Sequence, residues 1–234
     1  IDVLSASRGD NKIAWHENTD GDGSFSGQQV ITTSATGAQS VYAADLDNDG
    51  DMDILSASSD YSTDGEIAWY ENTDGNGSFS DQQVITTNAR EARSVYAADL
   101  DNDGDKDVLS ASSRDDKIAW HENLDSGGVS TTQQVITTNA DGAESVYAAD
   151  LDGDSDIDVL SASLGDNKIT WYENTDGNGS FSGQHVITTN ADVAQSVYAA
   201  DLDNDGDMDV LSASSAYGND KIAWYDNTDG DGNF

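Results

Sequence analysis

The segment "DLDNDGDMDILSAS" at residues 45–58 places an aspartate at every second position and then continues as a short apolar run. Near copies begin at Asp99, Asp150 and Asp201, so the same register occurs four times in a chain of 234 residues. Like charges this close repel one another, and random acidity would not keep one spacing through four copies. The segment therefore indicates a repeat protein whose aspartates share one task.

Tryptophans in matching contexts, such as "KIAWHEN" and "EIAWYEN", give the length of the repeat. They lie 54, 51, 51 and 53 residues apart, at Trp15, Trp69, Trp120, Trp171 and Trp224. Self-similarity at this period predicts a repeat architecture in which each unit packs on its neighbours. We predict one domain over residues 1–234, built from units at about 1–51, 52–105, 106–156, 157–207 and 208–234.

Each unit contains short runs with a period of two, typified by "SVYAAD", "DILSAS", "KIAWYEN" and "QQVITT". Such runs, rich in β-branched and aromatic residues and separated by Gly, Asp, Asn and Ser, are typical of strands. Ile67 and Trp69 share one strand face while Ala68 and Tyr70 share the other, as expected of a sheet packed between two sheets. The predicted fold class is all-β, a β-propeller of four-stranded antiparallel blades.

The strand pattern predicts incomplete ends. The first-type and fourth-type strands occur four times and the other two types five times, which gives 18 strands in about four and a half repeats of roughly 51 residues. The first unit lacks its first strand and the last unit lacks its fourth. Because proteins normally cover open sheet edges, we expect self-association, or missing strands supplied by a longer chain or another subunit.

The aspartate loops have the composition of a cation site. In the first copy, carboxylates stand at positions one, three, five and nine of a loop that runs from Asp45 to Asp53, and Gly50 at position six permits a sharp turn. Ligands that are all oxygens suit Ca²⁺ better than Mg²⁺ or Zn²⁺. An EF-hand begins in the same way, but it requires Glu at position twelve and a following helix, whereas position twelve is Ser56 in a strand pattern.

An aspartate loop between two strands, followed by "EIAWYENTDGNGSF" at residues 66–79, resembles the FG-GAP or VCBS repeat. That family builds the propellers of integrin α-subunits, some fungal lectins and many large secreted bacterial proteins. The resemblance covers essentially the whole chain and implies about four Ca²⁺ ions, each held in the hairpin between a blade's first and second strands. It implies side-chain ligands at positions one, three, five and nine and a backbone carbonyl at position seven. The residues so assigned are Asp45, Asp47, Asp49, Asp51, Asp53, Asp99, Asp101, Asp103, Asp105, Asp107, Asp150, Asp152, Asp154, Asp156, Asp158, Asp201, Asp203, Asp205, Asp207 and Asp209.

The third loop, "DLDGDSDID" at residues 150–158, departs from the pattern because Ser155 replaces the glycine at position six. A left-handed conformation costs Ser about 1 kcal/mol more than Gly, so this site is expected to bind more weakly. The first unit keeps only Asp2 of its loop, and a complete fifth site is therefore not expected in this sequence.

Composition argues against several classes of partner. Asp and Glu total 46 against 9 Lys and Arg, a formal net charge of −37, which disfavours nucleic acid and anionic membrane surfaces. The absence of Cys excludes thiol chemistry and cysteine metal sites. No apolar run approaches the roughly 20 residues of a membrane span, so we expect no membrane insertion.

We expect no enzyme, because catalysis needs one asymmetric constellation whereas every candidate side chain here is duplicated by the repeat. The prediction is a calcium-binding, extracellular scaffold for adhesion, assembly or other protein interaction, with a protein or glycan ligand. Its location follows from the resemblance and from the millimolar Ca²⁺ that extracellular modules use. The alternatives are a carbohydrate-binding lectin propeller and the accessory propeller of a polysaccharide-degrading enzyme. Each Trp shares a face with Ile, which favours packing between blades over a sugar-stacking row. The scaffold is preferred because no unit shows a distinctive aromatic-plus-polar loop beyond the repeat pattern itself.

Overall fold

A computed structural model describes residues 1–60, 64–124, 129–216, 218 and 220–234. Within these ranges the chain is all-β, with 18 strands in five antiparallel sheets of three, four, four, four and three strands. This distribution confirms the predicted incomplete first and last units. The described residues contain no helix that could cross a bilayer.

The strands follow one another in each sheet in chain order. The first sheet contains β1 (Val3–Ser7), β2 (Lys12–His16) and β3 (Gln29–Thr32). The second contains β4 (Ala38–Ala44), β5 (Asp53–Ser58), β6 (Glu66–Tyr70) and β7 (Gln83–Thr86). The third contains β8 (Ala92–Ala98), β9 (Asp107–Ser112), β10 (Lys117–Asn123) and β11 (Val129–Thr137). The fourth contains β12 (Ala143–Ala149), β13 (Asp158–Ser163), β14 (Lys168–Tyr172) and β15 (His185–Thr188), and the fifth contains β16 (Ala194–Ala200), β17 (Asp209–Ser214) and β18 (Lys221–Tyr225).

The three central sheets are apolar on both faces, as the sequence predicts. Strands β5, β9 and β13 are buried at every position. In the second sheet, Leu55 pairs with Trp69 and Ile54 pairs with Tyr70, so alternate pairs point to opposite faces. Each of these sheets therefore packs against a neighbour on either side.

The sheets pack on one another in chain order through their first strands. Strand β4 contacts β8, β8 contacts β12, and β12 contacts β16. A row of tyrosines, Tyr42, Tyr96, Tyr147 and Tyr198, follows these strands with ring centroids 4.5, 4.8 and 4.6 Å apart. The described part of the chain does not form a closed ring.

Three tryptophans pack against a glycine of the following sheet. Trp120 is 2% exposed, and a Cβ added at Gly179 would lie 2.3 Å from its Cζ2 atom. Equivalent contacts join Gly77 to Trp15 at 2.3 Å and Gly232 to Trp171 at 2.5 Å. No side chain larger than hydrogen fits beside the indole there. The prediction that tryptophans pack between sheets is confirmed at these junctions.

Asparagines also connect neighbouring sheets by hydrogen bonds. The Asn174 Nδ2 group donates to the Leu100 carbonyl of the preceding sheet at 2.8 Å. Asn227 does the same to Leu151 at 2.8 Å. Asn123 does so to the carbonyl of Leu46 at 2.6 Å. Because these amides are buried, each bond also satisfies a polar group that would otherwise be costly.

We expect Gly179→Ala to lower the free energy of unfolding by about 1–3 kcal/mol more than Gly23→Ala does. Both glycines have a positive φ and occupy the same turn position, but an added Cβ meets nothing within 4 Å at Gly23. The comparison therefore isolates the clash with Trp120 from the backbone strain. Urea unfolding of the two variants measures the difference, and equal losses would show that the indole moves aside freely.

Candidate metal centres

Four aspartate loops connect the first and second strands of the second to fifth sheets. In each loop three carboxylates converge so that one oxygen of each lies within 4.8 Å of the others. Three of the clusters use loop positions one, three and nine, and the last uses positions one, three and five. Their members are Asp45, Asp47 and Asp53; Asp99, Asp101 and Asp107; Asp150, Asp152 and Asp158; and Asp201, Asp203 and Asp205.

Within each loop, backbone N–H groups donate hydrogen bonds to aspartate carboxylates, and these bonds hold the loop in a curled conformation. In the first loop, Oδ2 of Asp45 accepts the Gly50 N–H at 3.0 Å, and Oδ1 of Asp49 accepts the Asp51 N–H at 2.8 Å. Oδ1 of Asp47 accepts the Asp49 N–H at 3.3 Å. The other three loops repeat these bonds. In the first and second loops these backbone bonds leave one oxygen of each carboxylate unused, whereas in the third and fourth loops the second oxygen of Asp150 and of Asp201 also accepts a backbone N–H.

The aspartate at position nine is buried and holds the loop to the rest of its sheet. Oδ1 of Asp107 accepts the Asn123 N–H and Oδ2 accepts the Leu100 N–H, both at 2.8 Å. Burial raises the pKa of Asp107 and of Asp158 to about 7, and that of Asp53 to about 6. The metal-free loop therefore disfavours the charged carboxylate, and a cation beside it would favour that form.

Two carboxylate oxygens at loop position one indicate where a cation would bind. Oδ1 of Asp45 and Oδ1 of Asp99 are buried and have no hydrogen-bond partner among the described residues. An unsatisfied buried carboxylate oxygen is costly unless a cation or a donor meets it. Clusters of carboxylate oxygens with such vacant acceptors fit a hard divalent cation and are compatible with Ca²⁺.

Each cluster contains only some of the side chains that the resemblance assigned to the metal, and at position seven the resemblance assigned a backbone carbonyl rather than a side chain. At position five, Asp49, Asp103 and Asp154 lie outside the three-member clusters, whereas Asp205 belongs to the fourth. The position-seven side chains of the third and fourth sheets accept hydrogen bonds from position four of the preceding loop. Asn102 Nδ2 donates to Oδ1 of Asp156 at 2.8 Å, and Asn48 pairs with Asp105 in the same way.

This hydrogen-bonded bridge between neighbouring loops was not predicted from the sequence. Its signal is the asparagine at position four, which recurs as Asn48, Asn102 and Asn204. The third loop carries Gly153 there and has no side-chain amide to donate. The bridge therefore joins the second sheet to the third and the third to the fourth, and Gly153 cannot extend it to the fifth.

The expected strain at Ser155 is present, with φ at +80°, where the other loops have Gly50, Gly104 and Gly206. We expect Ser155→Gly to raise the free energy of unfolding by about 1 kcal/mol. The reciprocal change, Gly104→Ser, is expected to lower it by a similar amount, since a Cβ at Gly104 meets nothing within 4 Å. Thermal unfolding at saturating Ca²⁺ measures both, and a destabilising Ser155→Gly would show that the hydroxyl has a role of its own.

A profile of the FG-GAP-like repeat matches residues 1–56, 52–110, 99–161 and 152–212. This chain belongs to the FG-GAP-like repeat family. The four matches together cover residues 1–212 and all four aspartate loops, so the predicted resemblance is confirmed.

Solved structures share the fold at low identity. The V. cholerae biofilm matrix protein Bap1 is 21% identical with a TM-score of 0.53, over 98% of this chain and 34% of Bap1. A functionally unknown protein from Desulfotomaculum acetoxidans DSM 771 is 13% identical with a TM-score of 0.62, over 95% of this chain and 65% of that protein. A luciferin-regenerating enzyme is 12% identical with a TM-score of 0.54, over 88% of this chain and 64% of the enzyme.

The FG-GAP chain thus spans about a third of Bap1 and just under two thirds of the other two proteins. At these identities the likeness is one of fold. No curated protein sequence matches the chain.

Proposed function

We propose that this FG-GAP repeat chain is a calcium-binding, non-catalytic β-propeller scaffold that acts outside the cell in adhesion, assembly or other protein interaction. The observation that carries the proposal is the buried, partnerless carboxylate oxygen at Asp45 and Asp99, inside two of the four clusters that recur in the second to fifth sheets. Four similar sites spread over four sheets suit a structural role, because each can stabilise its own sheet. A catalytic metal would need one distinct site.

The propeller assignment is supported by the way the sheets succeed one another. Strands β4, β8, β12 and β16 are first in their sheets and contact each other in series, which is how blades line a central axis. The three-stranded first and last sheets leave room for strands from a longer polypeptide or another subunit. We propose a blade arrangement on this basis.

The extracellular assignment is supported by the metal and by one structural neighbour. Sites of this kind are filled where Ca²⁺ reaches roughly 10⁻⁴–10⁻³ M, as it does outside cells. Bap1, which shares the fold, is named a biofilm matrix protein. Fractionation that finds the mature protein mainly in the cytosol would contradict this part of the proposal.

Calorimetric titration of the chain with Ca²⁺ tests the metal assignment. We expect about four ions per chain, with weaker binding at the third loop. The variant Asp101→Asn should remove one ion, while Asp115→Asn, a change in a β9–β10 loop that lies outside the aspartate clusters, should remove none. Equal affinity for Mg²⁺, or fewer than two Ca²⁺ ions bound, would count against calcium as the resident metal.

One observation favours the lectin alternative. An open cavity of about 270 Å³ is lined by Trp171, His185 and Phe234, and the rings of Trp171 and His185 are 4.7 Å apart. A glycan array of the wild-type chain tests it. A signal that His185→Gln abolishes would favour a sugar site; Gln is the residue that stands there in the first unit, as Gln29. If no glycan on the array binds, the scaffold function is favoured over the lectin.

A further inference from the structure

Position four of each aspartate loop adopts a left-handed backbone conformation. Asn48, Asn102 and Asn204 have φ of +57°, +59° and +64°, and Gly153 has φ of +76°. Asparagine tolerates this conformation better than most side chains, so it can stand where the backbone otherwise favours glycine. The four loops therefore present position four in the same way, and they differ in whether a side-chain amide is there.

The amide of Asn102, at position four of the second loop, reaches the fourth sheet at two points. Its Nδ2 group donates to Oδ1 of Asp156 at 2.8 Å and to the carbonyl oxygen of Gly177, in the β14–β15 turn, at 3.1 Å. The N–H of Asp156 donates in turn to Oδ1 of Asp154, at position five of the same loop, at 2.9 Å. One amide of the second loop thus fixes the position-seven side chain of the third loop.

The fourth loop has the acceptors of this bridge but not its donor. A Cβ added at Gly177 would lie 2.5 Å from Oδ1 of Asp156. A Cβ added at the equivalent Gly230 would lie 2.7 Å from Oδ1 of Asp207, so the turn meets the position-seven carboxylate alike in the two sheets. A Cβ added at Gly153 would lie 3.2 Å from the Gly230 carbonyl oxygen. In the described part of the chain, no side chain donates a hydrogen bond to the Asp207 carboxylate.

We propose that the asparagine at position four is a positioning residue for the cation site of the following loop. It couples the first three sites to one another, and the fourth site binds independently because Gly153 supplies no amide. The inference rests on the proposed calcium function. Asn102 directly follows Asp101, a member of its own cluster, and it holds Asp156 at position seven, where the resemblance assigns a backbone carbonyl to the next ion.

The coupling arises because a site that is already ordered costs less conformational entropy to fill. With a cation bound, the second loop holds Asn102 in place, and Asp156 is then positioned before its own loop is filled. Coupling between two binding sites is reciprocal, so filling the third loop must strengthen the second by the same factor. We expect a factor of about five to ten, at the lower end of the range that is typical of coupled sites.

Calorimetric titration of two variants of the full chain with Ca²⁺ tests the coupling. The double variant Asp152→Asn, Asp203→Asn keeps the first two sites, and Asp47→Asn, Asp101→Asn keeps the last two. Variants that keep a single loop give the affinity of each site alone. The coupling factor is the product of the two affinities in a pair, divided by the product of the two affinities measured alone. It should be about five to ten in the first pair and one in the last pair.

Asn48→Gly, which installs the residue that the third loop carries, should reduce the coupling factor of the first pair to one. Gly153→Asn tests the converse, because it supplies the missing amide where φ already suits asparagine. It should raise the factor of the last pair to about five to ten. Gly153→Ala is the matched control, since it adds the Cβ beside the Gly230 carbonyl without the amide. A bridge that only holds two sheets together would leave the factor at one and would stabilise the fold equally in Ca²⁺ and in chelator.

The outcomes separate this inference from the proposed function. Fewer than two ions bound to the wild-type chain would contradict the calcium function itself. Normal binding with a coupling factor of one in the first pair, or a factor that Asn48→Gly leaves unchanged, would overturn the inference alone. So would a folded Gly153→Asn chain whose last two sites still bind independently. If Asn48→Gly does not fold, Asn102→Gly in a variant that keeps the second and third sites makes the same comparison.

Discussion

Chelation of Ca²⁺ is expected to lower the melting temperature of the chain sharply or to unfold it. Each loop from position one to position nine carries five aspartates, and without a cation their charges repel within a short hairpin. A ligand that binds only the native state stabilises it by about 2.7 kcal/mol per site at 100 times Kd. Four sites would then contribute about 11 kcal/mol, which is comparable to the whole stability of a typical domain.

Thermal unfolding with and without chelator, at fixed ionic strength, measures this effect. Fixed ionic strength is essential because salt alone screens part of the repulsion. Added Ca²⁺ should restore the melting temperature, and Mg²⁺ should do so poorly because it keeps its waters. An unchanged melting curve, with metal analysis showing empty sites, would mean that the loops are not structural calcium sites.

The variant Asp107→Ala is expected to have the largest effect of any single aspartate. Its carboxylate accepts the N–H groups of Asn123 and Leu100, and both would lose their partner. An unsatisfied buried group costs about 1–3 kcal/mol, so the loss is about 2 kcal/mol or more even in chelator. In Ca²⁺ the lost ion adds about 2.7 kcal/mol at 100 times Kd.

Asp101→Asn is the control that separates the two contributions. Its carboxylate accepts only a hydrogen bond within its own loop, from the Asp103 N–H at 3.3 Å. We expect it to cost about 2.7 kcal/mol in Ca²⁺ and nothing in chelator, where losing one negative charge relieves repulsion. Urea unfolding of both variants, each in Ca²⁺ and in chelator, gives four changes in the free energy of unfolding. If Asp107→Ala lowers the free energy of unfolding in Ca²⁺ but not in chelator, the hydrogen bonds from backbone N–H groups to the Asp107 carboxylate do not stabilise the sheet.

Local features of this chain could be predicted from its sequence because they depend on neighbouring residues. The alternation of Ile67 and Trp69 places both on one face of β6, where both are buried. The loop spacing brings Asp99, Asp101 and Asp107 together, because a nine-residue hairpin loop is too short to keep their carboxylate oxygens far apart. Glycine at position six of the other three loops predicted the positive φ that Ser155 adopts in the third loop.

Features that link different sheets could not be predicted in the same way. The bond from Asn102 to Asp156 joins residues 54 positions apart, and it depends on how two sheets are rotated relative to one another. The seat of Trp120 on Gly179 depends on the same rotation. Whether the sheets close into a ring depends on small angles summed over every junction, which no periodicity in the sequence specifies.

The repeated junction has a consequence for how such chains change over generations. The fourth sheet carries Gly179 and Asn174 on the side that faces the third sheet, and Trp171 and the Leu151 carbonyl on the side that faces the fifth. A duplicated unit therefore arrives with both of its surfaces already matched to its neighbours. Recombination between the coding segments can lengthen or shorten the array without the selection of a new interface. The length of the unit also varies, since the β5–β6 connection is longer than its counterpart between β1 and β2.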